Sequence, residues 1–174
     1  YGLMSGTSMA TPHLAGASAL MLEYLRTAGI EGDAMTLAYA LMMSTAVPAK
    51  GSNGVTASPR KQGAGLVNLA SAMATKAYLQ VEGKERPKLE LGDDPDRTGV
   101  YSADFTLNNL TDEAIEYTLS ADVFTQAPVS SEGVLYLLPK TVSMAANVVW
   151  TVDGKVLTAP SELTAYDFDK DGDT

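Results

Sequence analysis

Residues 5–16 read Ser5-Gly6-Thr7-Ser8-Met9-Ala10-Thr11-Pro12-His13-Leu14-Ala15-Gly16, and the reading of this stretch decides the first half of the chain. Gly6 and Thr7 make a tight turn, and Pro12 suits the first turn of a helix, where its missing N–H would have no partner anyway. From Leu14 to Leu22 the segment is small or apolar on every face, so the helix it forms belongs in the middle of a domain. Glu23 and Arg26 mark its emergence into solvent, and Gly29 its end. Ser8 then lies at the helix N-terminus, where unpaired N–H groups and the helix dipole favour a developing negative charge. Acyl transfer through serine needs that setting, because the N–H of the nucleophile can donate to the oxyanion of the tetrahedral intermediate. Gly6 and Ala10 leave room for a substrate chain on either side. Taken alone, Gly-x-Ser reads first as an ordinary helix cap, since Ser and Thr are favoured there in any protein.

The longer string is more specific. Gly6 to Gly16, eleven consecutive positions, resembles the nucleophile motif of the subtilisin-like serine peptidases. Gly63-Ala64-Gly65-Leu66-Val67-Asn68 is similar to the closing turn of that catalytic domain. The resemblance covers residues 1–78 and implies Ser8 as nucleophile, an oxyanion hole made by the Ser8 N–H with the Thr7 hydroxyl assisting, and a protein or peptide substrate. It implies no cofactor for catalysis. In subtilisins the triad runs Asp, His, Ser along the chain, so the Asp, the His and an oxyanion-hole Asn are expected upstream of Tyr1. His13, the single histidine, is not the expected base. Five residues along a helix is a rise of ~7.5 Å and a rotation of ~140°, which turns the ring away from a hydroxyl it would have to reach.

The other helices announce themselves by their caps. Asp33 is a good N-cap for a second helix that runs through Ala34 to Ala46 before Pro48, and Asn68 for a third over Leu69 to Leu79. Between them, residues 50–65 carry four glycines, Asn53 and Pro59, and read as loop. Three helices cannot by themselves cover an all-apolar one, so within residues 1–78 much of Leu14, Leu20, Met21, Leu22 and Leu25 is expected in water.

From residue 79 the pattern changes to a two-residue alternation. Tyr101, Ala103, Phe105 and Leu107 fall on one face, and Ile115, Tyr117, Leu119 and Ala121 repeat the pattern. Val134 to Leu138 and Asn147 to Thr158 follow, the latter folded about Asp153-Gly154, a strong hairpin signal. Short strands at this spacing predict an antiparallel sandwich over residues 79–160, self-sufficient and more resistant than the helical half. The region resembles the fibronectin type III-like domain of cell-envelope subtilisins of the lactocepin and C5a-peptidase type. The expected fold class is thus α/β, the C-terminal helical piece of a subtilisin-like three-layer domain, followed by an all-β antiparallel sandwich.

Residues 161–174 form an acidic tail. Asp167, Asp169 and Asp171 stand at positions one, three and five, with Gly172 at six, as in the opening of an EF-hand or dockerin-like calcium loop. Calcium is therefore a candidate ligand there, although a solvated acidic tail gives the same composition, and position twelve, where a bidentate acid is expected, would lie four residues beyond Thr174. The chain of 174 residues has a formal net charge of −9 and no cysteine, which excludes disulfides, thiolate metal sites and the basic footprint that nucleic acid requires. No stretch approaches the ~18 apolar residues of a membrane span. The opening Tyr1-Gly2-Leu3 and the tail's arrest inside a patterned run lead to the expectation of a segment from a longer, exported or cell-envelope bacterial protease, with cell-wall attachment possible. The rival expectation is an inactive subtilisin-like scaffold that presents a sandwich and a calcium-binding repeat.

Overall fold

In the computed structural model the described residues are 2–30, 32–51, 54–84, 86–92, 95–96, 98, 100–117, 125–140, 149–152 and 154–157. They hold four helices and three antiparallel strand pairs, a mixture of helix and small antiparallel pieces. They group into two compact units, one of residues 1–47 with 64–110 and one of residues 48–63 with 111–174.

The first unit carries the core. Helix α1 spans Thr7–Ala28 and stops where Gly29 turns left-handed at φ 67, a conformation glycine adopts without Cβ strain. Helix α2 (Ala34–Ser44) starts at Asp33, whose carboxylate accepts from the Met35 N–H at 3.2 Å and the Thr36 hydroxyl at 2.6 Å. The one-turn helix α3 (Pro59–Gln62), which belongs to the other unit, is followed by α4 (Leu69–Ala74), capped by the Asn68 side chain on the Ser71 N–H. Met21 and Leu25 of α1 meet Leu37, Ala38 and Leu41 of α2 and Ala72 of α4 in one buried cluster. Leu14 and Leu20, on other faces of α1, stay 48% and 55% exposed.

Three expectations are corrected here. Met21 and Leu25 are fully covered, because α2 and α4 close over the i, i+4 stripe they share, so only part of the apolar helix reaches water. The third helix ends at Ala74 rather than continuing to Leu79. Residues Ala77–Gln80 form strand β1, paired antiparallel with β2 (Thr106–Asn109) in the register Tyr78↔Asn108. Finally, Pro12 is not in the first turn, since α1 begins at Thr7 and places the proline at its sixth residue.

In the second unit, the segment before α3 folds back on itself. Gln62 pins it, its Oε1 accepting from the Ala49 N–H at 2.6 Å and its Nε2 donating to the Ala57 carbonyl at 2.5 Å. Strands β3 (Thr125–Ser131) and β4 (Val134–Lys140) pair through the register Ser131↔Val134, with Glu132 and Gly133 both at positive φ, 52 and 77. Both φ values suit the tight two-residue turns that follow strand twist. Strands β5 (Trp150–Val152) and β6 (Lys155–Leu157) pair as the Asp153-Gly154 signal predicts. Among the described residues no sheet exceeds two strands, and the expected sandwich is not seen. Of the expected strand residues, Tyr101, Ala103, Phe105, Ile115 and Tyr117 lie outside strands, while Leu119 and Ala121 fall outside the described residues. Asp167, Asp169 and Asp171 also lie outside them.

Candidate active site

The site starts from Gly6. This residue caps α1 at φ 155 and ψ 168, a backbone region essentially closed to residues with a Cβ. No side chain caps the helix. Instead the Gly6 carbonyl accepts from the Met9 N–H at 3.1 Å and the Ala10 N–H at 3.2 Å. Ser8 is consequently the second residue of the helix and not its cap. The ordinary cap role that the sequence left open for it is filled by Gly6.

Ser8 and Thr7 are both exposed. At the second position of a helix the backbone N–H precedes every intrahelical acceptor, and among the described residues no acceptor meets it. An exposed hydroxyl, an unengaged N–H and the positive end of a 22-residue helix therefore coincide at Ser8. Such an arrangement can place a nucleophile and an anion-stabilising donor on one residue.

His13 is placed where the helical count puts it. Its Nδ1–H donates to the Met9 carbonyl at 2.7 Å, so its hydrogen bond goes back along its own helix and not to Ser8. Thr11 does likewise, its hydroxyl donating to the Thr7 carbonyl at 2.8 Å. Along the same helix, Pro12, His13, Gly16 and Leu20 form one wall of an open, mostly apolar groove of about 730 Å³. Val47 and Val67 belong to the opposite wall. Mutual backbone bonds, Val47 N–H to Leu66 O at 2.9 Å and Leu66 N–H to Val47 O at 2.8 Å, hold that wall together. The two stretches that carried the resemblance, Gly6–Gly16 and Gly63–Asn68, thus meet across one groove. Val47's place in it could not be read from sequence, because an isolated bridge between residues 47 and 66 has no local pattern.

The described residues include no group of three or more His, Asp or Glu side chains able to hold a metal ion. No helix among them is long and apolar enough to cross a membrane.

Residues 1–65 match the subtilase family, Peptidase S8. The matched span contains Thr7, Ser8 and His13 and ends within the Gly63–Asn68 turn. Similarity to curated proteins runs further. The chain is 31% identical over 185 residues to a PII-type proteinase of Lactococcus lactis subsp. cremoris, covering 95% of this chain and 9% of that protein. A PII-type proteinase of Lacticaseibacillus paracasei and a PIII-type proteinase of Lactococcus lactis subsp. cremoris (strain SK11) match with the same identity and coverage. The chain therefore spans about a tenth of the length of these relatives. The subtilase match accounts for the first helix and the loop after α2, and the proteinase similarity extends across the strand-bearing remainder as well.

Proposed function

We propose that this chain is the nucleophile-bearing segment of an exported or cell-envelope serine endopeptidase that hydrolyses peptide bonds in protein substrates. The observation that carries the reading is the subtilase match over residues 1–65, which contains Ser8 at an exposed helix start with its N–H unengaged. In this reading Ser8 attacks the scissile carbonyl, and the Ser8 N–H and the Thr7 hydroxyl receive the oxyanion. An Asp and a His outside these 174 residues complete the triad, since His13 is turned toward Met9 and the relatives are some ten times longer. The segment beyond the catalytic piece is a fibronectin type III-like domain. The acidic run of Asp167, Asp169 and Asp171 opens a calcium loop.

The test uses the full-length protein that carries this segment. A fluorophosphonate probe is expected to label it at Ser8, with labelling and peptidase activity both lost in Ser8→Ala. The fall in kcat is expected on the order of 10⁶, the scale that removal of a subtilisin serine nucleophile produces. The 174-residue chain alone is expected to remain unlabelled, because a serine hydroxyl without a base is a weak nucleophile. Full-length protein inert to the probe would replace this reading with the inactive scaffold.

A further inference from the structure

Helix α1 carries a proline, Pro12, one turn beyond the exposed Ser8. Proline has no N–H, so Pro12 cannot donate to the carbonyl four residues back, which is that of Ser8. In general a proline ring inside a helix also crowds the carbonyl four residues back. A helix interrupted there would let its first turn rotate, and with it the Ser8 hydroxyl and N–H. Yet the two residues flanking the proline are those whose side chains reach back. Thr11 donates to the Thr7 carbonyl at 2.8 Å and His13 Nδ1–H to the Met9 carbonyl at 2.7 Å. The carbonyls on either side of Ser8 are tied down, and the one that Pro12 leaves without its helical donor lies between them.

Back-bonding by threonine and serine recurs elsewhere in the helix, at Ser18 to Leu14 and Thr27 to Glu23, and alone would signify little. The histidine is different. Donation from His13 Nδ1–H to the Met9 carbonyl fixes the neutral ring as the Nδ1–H tautomer and holds it along the helix. The bond needs no particular pH, because the protonated ring keeps the same donor.

We propose that His13 and Thr11 are positioning residues for Ser8, bracing the helix turn that Pro12 would otherwise loosen. The proposal rests on the reading of Ser8 as nucleophile. The brace acts on the orientation of the Ser8 hydroxyl and N–H, not on substrate contact or on the folding of the helix as a whole. It therefore belongs in kcat and in the acylation rate, with KM and the melting temperature little changed.

Side chains that copy one half of the imidazole separate positioning from bulk structure. Asparagine offers an amide N–H near the Nδ1 position, whereas glutamine offers one near Nε2. In the full-length protein, His13→Ala, His13→Gln and Thr11→Val are each expected to lower kcat and the rate of fluorophosphonate labelling roughly tenfold, the scale of one lost hydrogen bond. His13→Asn and Thr11→Ser are expected to restore most of the rate. Losses equal in His13→Asn and His13→Gln, or losses that follow the melting temperature, would overturn the proposal. So would unchanged kcat in His13→Ala and Thr11→Val while Ser8→Ala remains dead. Full activity in Ser8→Ala would instead remove the nucleophile reading beneath it. An independent check is the imidazole ¹⁵N spectrum of the 174-residue chain. Nδ1–H is the expected tautomer of the neutral ring, and Nε2–H, the form free histidine prefers, would refute the brace.

Discussion

At the scale of single residues, the chain separates polar groups that shape helices from those that do chemistry. Asp33 belongs to the first kind. The Thr36 hydroxyl, and then the Met35 N–H, hold its carboxyl below the usual aspartate range. A carboxylate with a lowered folded pKa contributes stability that is present above its unfolded value and lost as pH falls through the folded one. Asparagine caps helices as well as aspartate but does not titrate. Asp33→Asn is therefore expected to leave the melting temperature near pH 7 almost unchanged and to flatten its decline below about pH 4, where free aspartate protonates. An identical acid limb in both proteins would remove Asp33 from the acid response. Gly6 shapes the helix start by a different route. Its φ of 155 rather than any crowding makes it a glycine site, since a Cβ there would meet nothing closer than the Met9 sulfur at 3.8 Å. Gly6→Ala is expected to shift the start of α1 and to slow probe labelling at Ser8 in the full-length protein, measured beside a helix-interior control such as Ala19→Gly.

At the scale of elements, the helices divide into covered and uncovered faces. Met21 and Leu41, at 0% and 1% exposure, are enclosed by α1, α2 and α4. Truncating a buried side chain removes its transfer energy and leaves a cavity, so Leu41→Ala is expected to cost about 2–5 kcal/mol in denaturant unfolding. Leu20→Ala, on the half-exposed side, is expected within about 0.5 kcal/mol. Comparable losses at both sites would mean that the face of Leu20 is covered in the same way. What was legible from sequence follows the same division between local and distant causes. Asp33, Asn68 and Gly29 could be read as helix boundaries because a cap acts on residues within one turn of itself. The place of Ser8 in the first turn of α1 could be read for the same reason, as could the pairing of β5 with β6. Strand β1 could not, because Lys76-Ala77-Tyr78-Leu79 continues a helical pattern and its partner, β2, lies more than twenty residues on. Nor could the β3–β4 turn, where Glu132 takes a positive φ that its residue type does not announce. The alternation of Tyr101 to Leu107 was real as a pattern, yet only its end, from Thr106, found a strand to pair with.

At the scale of the whole molecule, burial reverses the order of resistance that the sequence suggests. An apolar helix short of partners was expected to be the weak half and the strand-rich region the strong one. The fully buried side chains among the described residues nevertheless lie in α1, α2 and α4, while no described side chain from residue 111 to 156 is buried. Two-stranded pairs without a covered apolar face are marginal in water, and Val134, Leu135 and Tyr136 of β4 are all exposed. Opening free energies rise with burial and with the number of apolar contacts broken. Limited proteolysis of the chain is therefore expected to cut first within residues 111–157 and to leave a resistant piece containing α1, α2 and α4. Hydrogen exchange should show the same order in finer detail. Within α1 the amides around Met21 and Leu25 are expected to be the slowest, and those near Thr11 and Leu14, where the helix face is exposed, faster by one or more orders of magnitude. The contrast is drawn inside one continuous helix, Thr7–Ala28, along which burial changes from half-exposed at Leu14 to complete at Met21. Uniform protection along α1 in a monomeric sample would mean that its exposed face is covered in solution, and early loss of the helices would restore the order expected from sequence.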